Sequence, residues 1–203
     1  MYIPNHFAEA RPEVLHAAIR RHPLGALVVP TASGLEVNHV PFLVEGDRLH
    51  AHVARANPLW QVALTGPAVA IFQGPDRYIT PSWYATKVET GKVVPTWNYV
   101  VVHAHGPLRF VEDPAWLRAH VARLVATHEA GRPAPWQVSD APADYVDKLL
   151  GAIVGIELAV ERLEGKWKLG QNRNAADREG VIAGLRAEGD PAAAALAELI
   201  PKG

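Results

Sequence analysis

Between Leu24 and Ala54 three β-rich runs follow one another through turns too short for the chain to cross over. LGALVVP (Leu24 to Pro30) is closed by Ala32-Ser33-Gly34, Glu36 to Val44 follows, Glu45-Gly46-Asp47 turns, and Arg48 to Ala54 returns. Parallel neighbours need a crossover of about a dozen residues, so an antiparallel meander is expected. Three more strands are expected at Pro67 to Gln73, Val93 to Phe110 and Ile153 to Leu163. The second of these is long enough to bend or serve two sheets, and Pro95 marks an edge or bulge near its start. Caps and prolines set the helices. Pro12 opens one that Pro23 stops, Asn57-Pro58 a short one to Leu64, and Asp113-Pro114 one to about His128. Ser139-Asp140-Ala141-Pro142 starts another to about Leu150, Asn174 caps one to about Arg186, and Asp190-Pro191 caps a last one built from AAAALAEL. The pattern predicts a mainly β chain of α+β class. A closed antiparallel barrel flanked by helices is favoured over an open sheet with helices on one face.

Composition narrows the function. At 203 residues the chain suits one domain, or one domain with a helical appendage. A formal net charge of -1 lacks the basic excess of a nucleic-acid binder. With no cysteine, disulfides, Cys-ligated zinc and a thiol nucleophile are excluded. The opening MYIPNHFAEARPE is not a basic-then-apolar leader, and no apolar run is long enough to span a bilayer, so a cytoplasmic protein is expected.

Chemistry concentrates from Gly74 to Gly106, GPDRYITPSWYATKVETGKVVPTWNYVVVHAHG, expected to begin as a loop. Trp83, Tyr84, Trp97 and Tyr99 stand there with Ser82, Thr96, Lys87 and Lys92. Flat aromatic faces beside hydroxyl donors and ammonium groups suit a planar, anionic ligand. A second cluster, Gly165-Lys166-Trp167-Lys168-Leu169-Gly170-Gln171-Asn172-Arg173, alternates two lysines about an indole. If that stretch is extended, Lys166 and Lys168 share a face.

Other constellations have ordinary readings beside the functional ones. Arg55 and Asn57 sit where a strand runs into a helix start, which makes either a phosphate cradle or a cap with a surface arginine. His50/His52 and His103/His105 are i, i+2 pairs that with His39 could ligate a metal or, singly, a haem; hydrogen-bonded polar positions account for them as well. Ser82 beside Lys87 lacks a GxSxG elbow and follows Pro81, so a ligand-facing hydroxyl is expected rather than a nucleophile. There is no GxGxxG and no P-loop.

The blocks MYIPNHFAE, VNHVPFL, HAHVARANP, IFQGPDRYITPSWYATK, TGKVVPTWNYVVVHAHG, WLRAHV, PWQVSDAP, IVGIELAVERLEGKWKLGQNR and DREGVIAGL resemble the PaiB family across nearly the whole chain. That family is described as FMN-binding negative transcriptional regulators, within the wider split-barrel group of flavin reductases and pyridoxamine phosphate oxidases. The resemblance implies a six-stranded antiparallel split β-barrel over residues 1–173, with residues 174–203 a helical extension packed on it. It also implies a homodimer with FMN at the subunit interface. The phosphate is then expected on His52, Arg55 and Asn57, and the ring against Ser82, Trp83, Tyr84, Lys87, Thr96, Trp97 and Asn98. Lys166, Trp167, Lys168, Gln171 and Arg173 are expected to approach the ring from a late strand, with His39 and Pro41 on the strand beneath it. No metal is expected. The regulator label implies a role at DNA that the charge does not itself suggest. The expected function is an FMN-binding regulator or redox sensor. The alternatives are an FMN-dependent oxidoreductase on a small substrate, and a haem-binding or structural dimer of the same fold.

Overall fold

The computed structural model describes residues 1–202 and contains, among them, six α-helices and ten strands. They form two compact units, each drawn from separate stretches of sequence: Met1–His22, Phe72–His103 and Leu163–Gly203 in the first, Pro23–Ile71 and Ala104–Arg162 in the second.

In the first unit the strand order is β1 (Ala8–Glu9), β10 (Arg162–Lys168), β7 (Thr96–Gly106), β6 (Ala68–Ile79). Helices α1 (Pro12–Arg21), α2 (Ala85–Thr90), α5 (Ala175–Ala187) and α6 (Pro191–Leu199) belong to this unit. Its core joins Ile79, Tyr84, Val100 and Leu169 to Val181, Ile182 and Leu185 of α5 and to Ala193, Leu196 and Ala197 of α6. Two glycines let α5 approach closely: a β-carbon at Gly180 would fall on the Trp83 carbonyl, and one at Gly184 on the Trp83 indole. Asp190 starts α6 by accepting the Ala192 N–H at 3.0 Å, and its other oxygen accepts Arg77 Nη2 at 2.5 Å. One carboxylate therefore both caps a helix and clasps a strand.

In the second unit the start of β6 pairs with β2 (Leu24–Thr31), which pairs with β3 (Gly34–Pro41). A second sheet runs β4 (Leu43–Glu45), β5 (Arg48–Ala54), β9 (Ile153–Ala159), β8 (Leu108–Val111). Helix α3 (Pro114–Glu129) and α4 (Ala143–Gly151) bury Leu117, Val146 and Leu150 with Trp116 and Ile153.

The α+β class and all six expected strand regions are present, and ten strands stand for six because three runs are each cut in two and β1 was not foreseen. The run Glu36 to Val44 breaks at Phe42. Pro41 has no N–H for the ladder, Phe42 is 1% exposed, and its N–H turns to the Pro23 carbonyl at 2.9 Å. The expected three-strand meander is thus divided between two sheets. Pro107 separates β7 from β8, so the long run does serve two sheets. The last run breaks where Val160 and Glu161 donate to the carbonyls of Asp47 and His105. Gly74 to Ile79 is strand rather than loop: Gly74 lies against Val100, where a side chain would crowd the neighbouring strand. The short helix expected at Asn57 to Leu64 is a single 3-10 turn, Pro58–Gln61, capped by Asn57 as expected.

Candidate functional site

A cavity of about 170 Å³ opens in the first unit. Its walls come from the start of β7 (Thr96, Asn98), the end of β10 (Lys168, Leu169), the following turn (Asn172, Arg173), the start of α5 (Asp177, Arg178), and Phe7, Tyr84 and Ile200. The alternation in β10 places Lys168 so that its Nζ donates to Thr96 Oγ1 and to the Trp97 carbonyl, both at 2.5 Å. Gly170, at φ +80, lets the chain turn sharply into α5. Gln171 pins that turn, its Oε1 accepting the Leu169 N–H at 2.9 Å and its Nε2 donating to the Trp167 carbonyl at 2.6 Å.

The electrostatics of this cavity are one-sided. Burial lowers the pKa of Lys168, and the nearby charges of Lys166 and Arg173 lower it further. Arg173 stacks its guanidinium 4.6 Å above the Tyr84 ring. Arg178 donates to two carbonyls, Pro201 at 2.9 Å and Arg173 at 2.5 Å. The lone carboxylate in the wall, Asp177, is 1% exposed and accepts both the N–H (2.9 Å) and the hydroxyl (3.0 Å) of Thr86. Three cations with uncharged oxygen or ring partners thus face one carboxylate that is otherwise engaged. Tyr84 is raised by burial, with Arg173 opposing the rise.

Of the expected site residues, the structure brings Tyr84, Thr96, Asn98, Lys168 and Arg173 to this cavity. Trp97 stands on the same strand, 53% exposed, with Tyr78 edge-on at 6.2 Å. Ser82 accepts Lys87 Nζ at 3.0 Å. Trp83 packs on α5, and Gln171 holds the turn as described. Asn172 of the second cluster also lines the wall, and Phe7, Asp177, Arg178, Val181 and Ile200, which were not singled out, stand there too. Phe7 lay within the block MYIPNHFAE and Asp177, Arg178 and Val181 within DREGVIAGL, while Ile200 carried no signal.

His39, Pro41, His52, Arg55 and Asn57 belong to the second unit. Arg55 donates through Nε to the Gly151 carbonyl (2.9 Å), through Nη1 to Glu112 (2.7 Å) and through Nη2 to the Ile153 carbonyl (3.3 Å), and it lies over Trp60. Asn57 caps the Leu59 N–H and donates to Asn38 Oδ1 at 2.7 Å. His52 Nδ1 meets His120 Nε2 at 3.1 Å, and Trp116 stacks on His120 at 5.1 Å. His50 reaches the buried Glu157, which also binds Arg48 and Arg109. Those arginines hold the Glu157 carboxyl down at about 2, Arg109 most strongly. Burial, then His52, His50 and Arg123, hold His120 down at about 3. His50 and His52 therefore bond within the protein, as their ordinary reading has it.

A family model described as "Putative FMN-binding domain" matches residues 1–162. The chain belongs to that family. Among its relatives is "Protease synthase and sporulation protein PAI 2" of Bacillus subtilis, 30% identical over 98% of this chain and 96% of the relative. Another is "Uncharacterized protein AN0679" of Emericella nidulans, 33% identical over the same shares. The PaiB resemblance drawn from the motif blocks is borne out. The fold is similar to that of the flavocytochrome Anf3 from Azotobacter vinelandii, with a TM-score of 0.62 at 17% identity over 83% of this chain and 73% of that one. It is equally similar to an FAD and haem binding protein from Mycobacterium smegmatis, with a TM-score of 0.62 at 17% identity over 87% of this chain and 80% of that one. A flavin is the family's cofactor, in agreement with the expectation of FMN. Among the described residues, no helix is long and apolar enough to cross a membrane.

Proposed function

We propose that the protein is an FMN-dependent redox sensor that acts in gene regulation as a homodimer. The observation that carries the reading is the pairing of Trp97 with Lys168 on adjacent strands. The half-buried Lys168 ammonium donates to the Trp97 carbonyl and the Thr96 hydroxyl, both uncharged, and the Trp97 indole on the same strand as Thr96 is more than half exposed. A flat ring with an anionic tail answers both features, and the family's cofactor is such a molecule. Residues here fit it: Thr96, Asn98, Lys168 and Arg173 supply donors, with the exposed Trp97 indole as an aromatic face. Bound FMN supplies one- and two-electron chemistry; the chain binds it, orients it and screens it from water.

The regulatory part rests on the Bacillus subtilis relative, whose name links it to protease synthesis and sporulation. A net charge of -1 gives no footprint for unaided DNA binding. The regulation proposed therefore acts through a flavin-state-dependent partner rather than by direct repression.

An absorption spectrum of the purified protein, with its mass in solution, tests this. A bound yellow flavin at about one per chain, released as FMN on denaturation, in a particle of twice the chain mass is expected. Colourless protein that takes up no added FMN would overturn the cofactor reading. A strict monomer would overturn the assembly.

A further inference from the structure

We infer that the cavity bounded by Lys168, Arg173 and Arg178 is a seat for a single phosphate or carboxylate group. The inference rests on the flavin reading only for one of two sources of that group, the phosphate tail of FMN; the other is a free small anion such as a substrate carboxylate. Size is the first argument. At about 170 Å³ the space falls short of the roughly 300–1,000 Å³ of pockets that enclose a whole drug-sized ligand. It admits a head group and not a ring system.

Charge is the second. Lys168, Arg173 and Arg178 bring three cations to a wall with one carboxylate, and that carboxylate is engaged by Thr86. The Lys168 ammonium donates to the Thr96 hydroxyl and the Trp97 carbonyl, which leaves one of its three N–H donors for a ligand. Lys166 and Arg173 bring like charge to Lys168, and an anion would relieve that repulsion. The contrast with Arg55 is the third argument. That fork is fixed to Glu112 and to the carbonyls of Gly151 and Ile153, so it has a structural role in the second unit already.

The experiment titrates flavin-free protein with FMN, riboflavin and inorganic phosphate, followed by calorimetry and tryptophan fluorescence. Native protein is compared with Lys168→Met, Arg173→Gln and, as a control outside the cavity wall, Lys148→Gln. Phosphate is expected to bind native protein and the control. Lys168→Met and Arg173→Gln are each expected to weaken it about tenfold or more, the scale of a lost charged hydrogen bond. If phosphate competes with FMN but not with riboflavin, the group is the flavin's own. If it binds without competing with FMN, the group is a separate small anion.

Phosphate binding without any flavin uptake would defeat the cofactor reading and leave the seat standing. FMN binding unchanged in both cavity variants, with no phosphate binding to native protein, would overturn the seat and leave the cofactor reading intact. Circular dichroism and thermal melting confirm that each variant is folded. If Lys168→Met fails to fold, Arg173→Gln decides alone.

Discussion

Asp177, in the first turn of α5, holds both the N–H and the hydroxyl of Thr86 across 91 positions of sequence. Its own N–H is capped by Asn174 at 2.8 Å, so the start of one helix fastens the start of another. Asp177→Ala leaves the half-buried Thr86 donors unmet and is expected to destabilise the fold by about 1–3 kcal/mol. Asp177→Asn, which keeps an acceptor, is expected to lose less. Urea unfolding of both variants measures the difference, and equal midpoints would show that the carboxylate is not what fastens α2 to α5.

Gly184 gives a sharper steric test. A β-carbon there meets the Trp83 indole directly, so Gly184→Ala is expected to cost about 1–3 kcal/mol although alanine is the better helix former. Gly151, in the last turn of α4, has open space about its α-carbon, and alanine there is expected to be close to neutral or stabilising. Thermal unfolding separates the two. A Gly184→Ala protein as stable as the native one would mean that Trp83 can move away from α5.

Acid should weaken the second unit in two overlapping stages. His120 is fully buried and its pKa is depressed to about 3 from 6.5, so the unfolded chain binds the proton first as pH falls below 6.5. Stability is thus lost from about pH 6.5 down towards 3. Glu157, depressed to about 2 from 4.5, contributes stability that is present above 4.5 and lost as pH falls towards 2. Together they are expected to remove several kcal/mol, on the order of 4, between pH 7 and pH 3. His120→Gln should flatten the upper part of the curve and Glu157→Gln the lower. Denaturant midpoints taken from pH 7 to pH 3 check this, and parallel curves for His120→Gln and native protein would refute the assignment.

Arg55→Ala is expected to lower stability by about 1–2 kcal/mol. It removes hydrogen bonds to two backbone carbonyls and the stacking over Trp60, while the Glu112 pair, mostly exposed on the acid side, adds little. Arg55→Lys should recover only part of the loss, because an ammonium cannot reproduce the fork. A native-like midpoint for Arg55→Ala would contradict this structural role.

Helix starts were legible because their chemistry is local. Asp113, Asn174 and Asp190 each cap the helix that their side chain and the following residues announce. The strand breaks were not, since Phe42, Pro107 and Val160 part the ladder through partners far along the chain or through a missing N–H. Helix α2 was hidden inside a stretch whose aromatic content spoke for a ligand and whose hydrogen bonds come from Asp177. Lys168 was readable from simple alternation about Trp167. Arg55 shows the converse limit. A sequence displays donors but not the carbonyls of Gly151 and Ile153 that use them, nearly a hundred residues later.

The double duty of Asp190 bears on what can vary at the chain's end. An asparagine there would still begin α6 yet surrender the negative charge that grips Arg77; a glutamate would keep the charge and overreach the Ala192 amide. Neither neighbour in the genetic code does both jobs. Position 190 should therefore tolerate little drift, while the alanines that follow it are free to exchange wherever they face solvent.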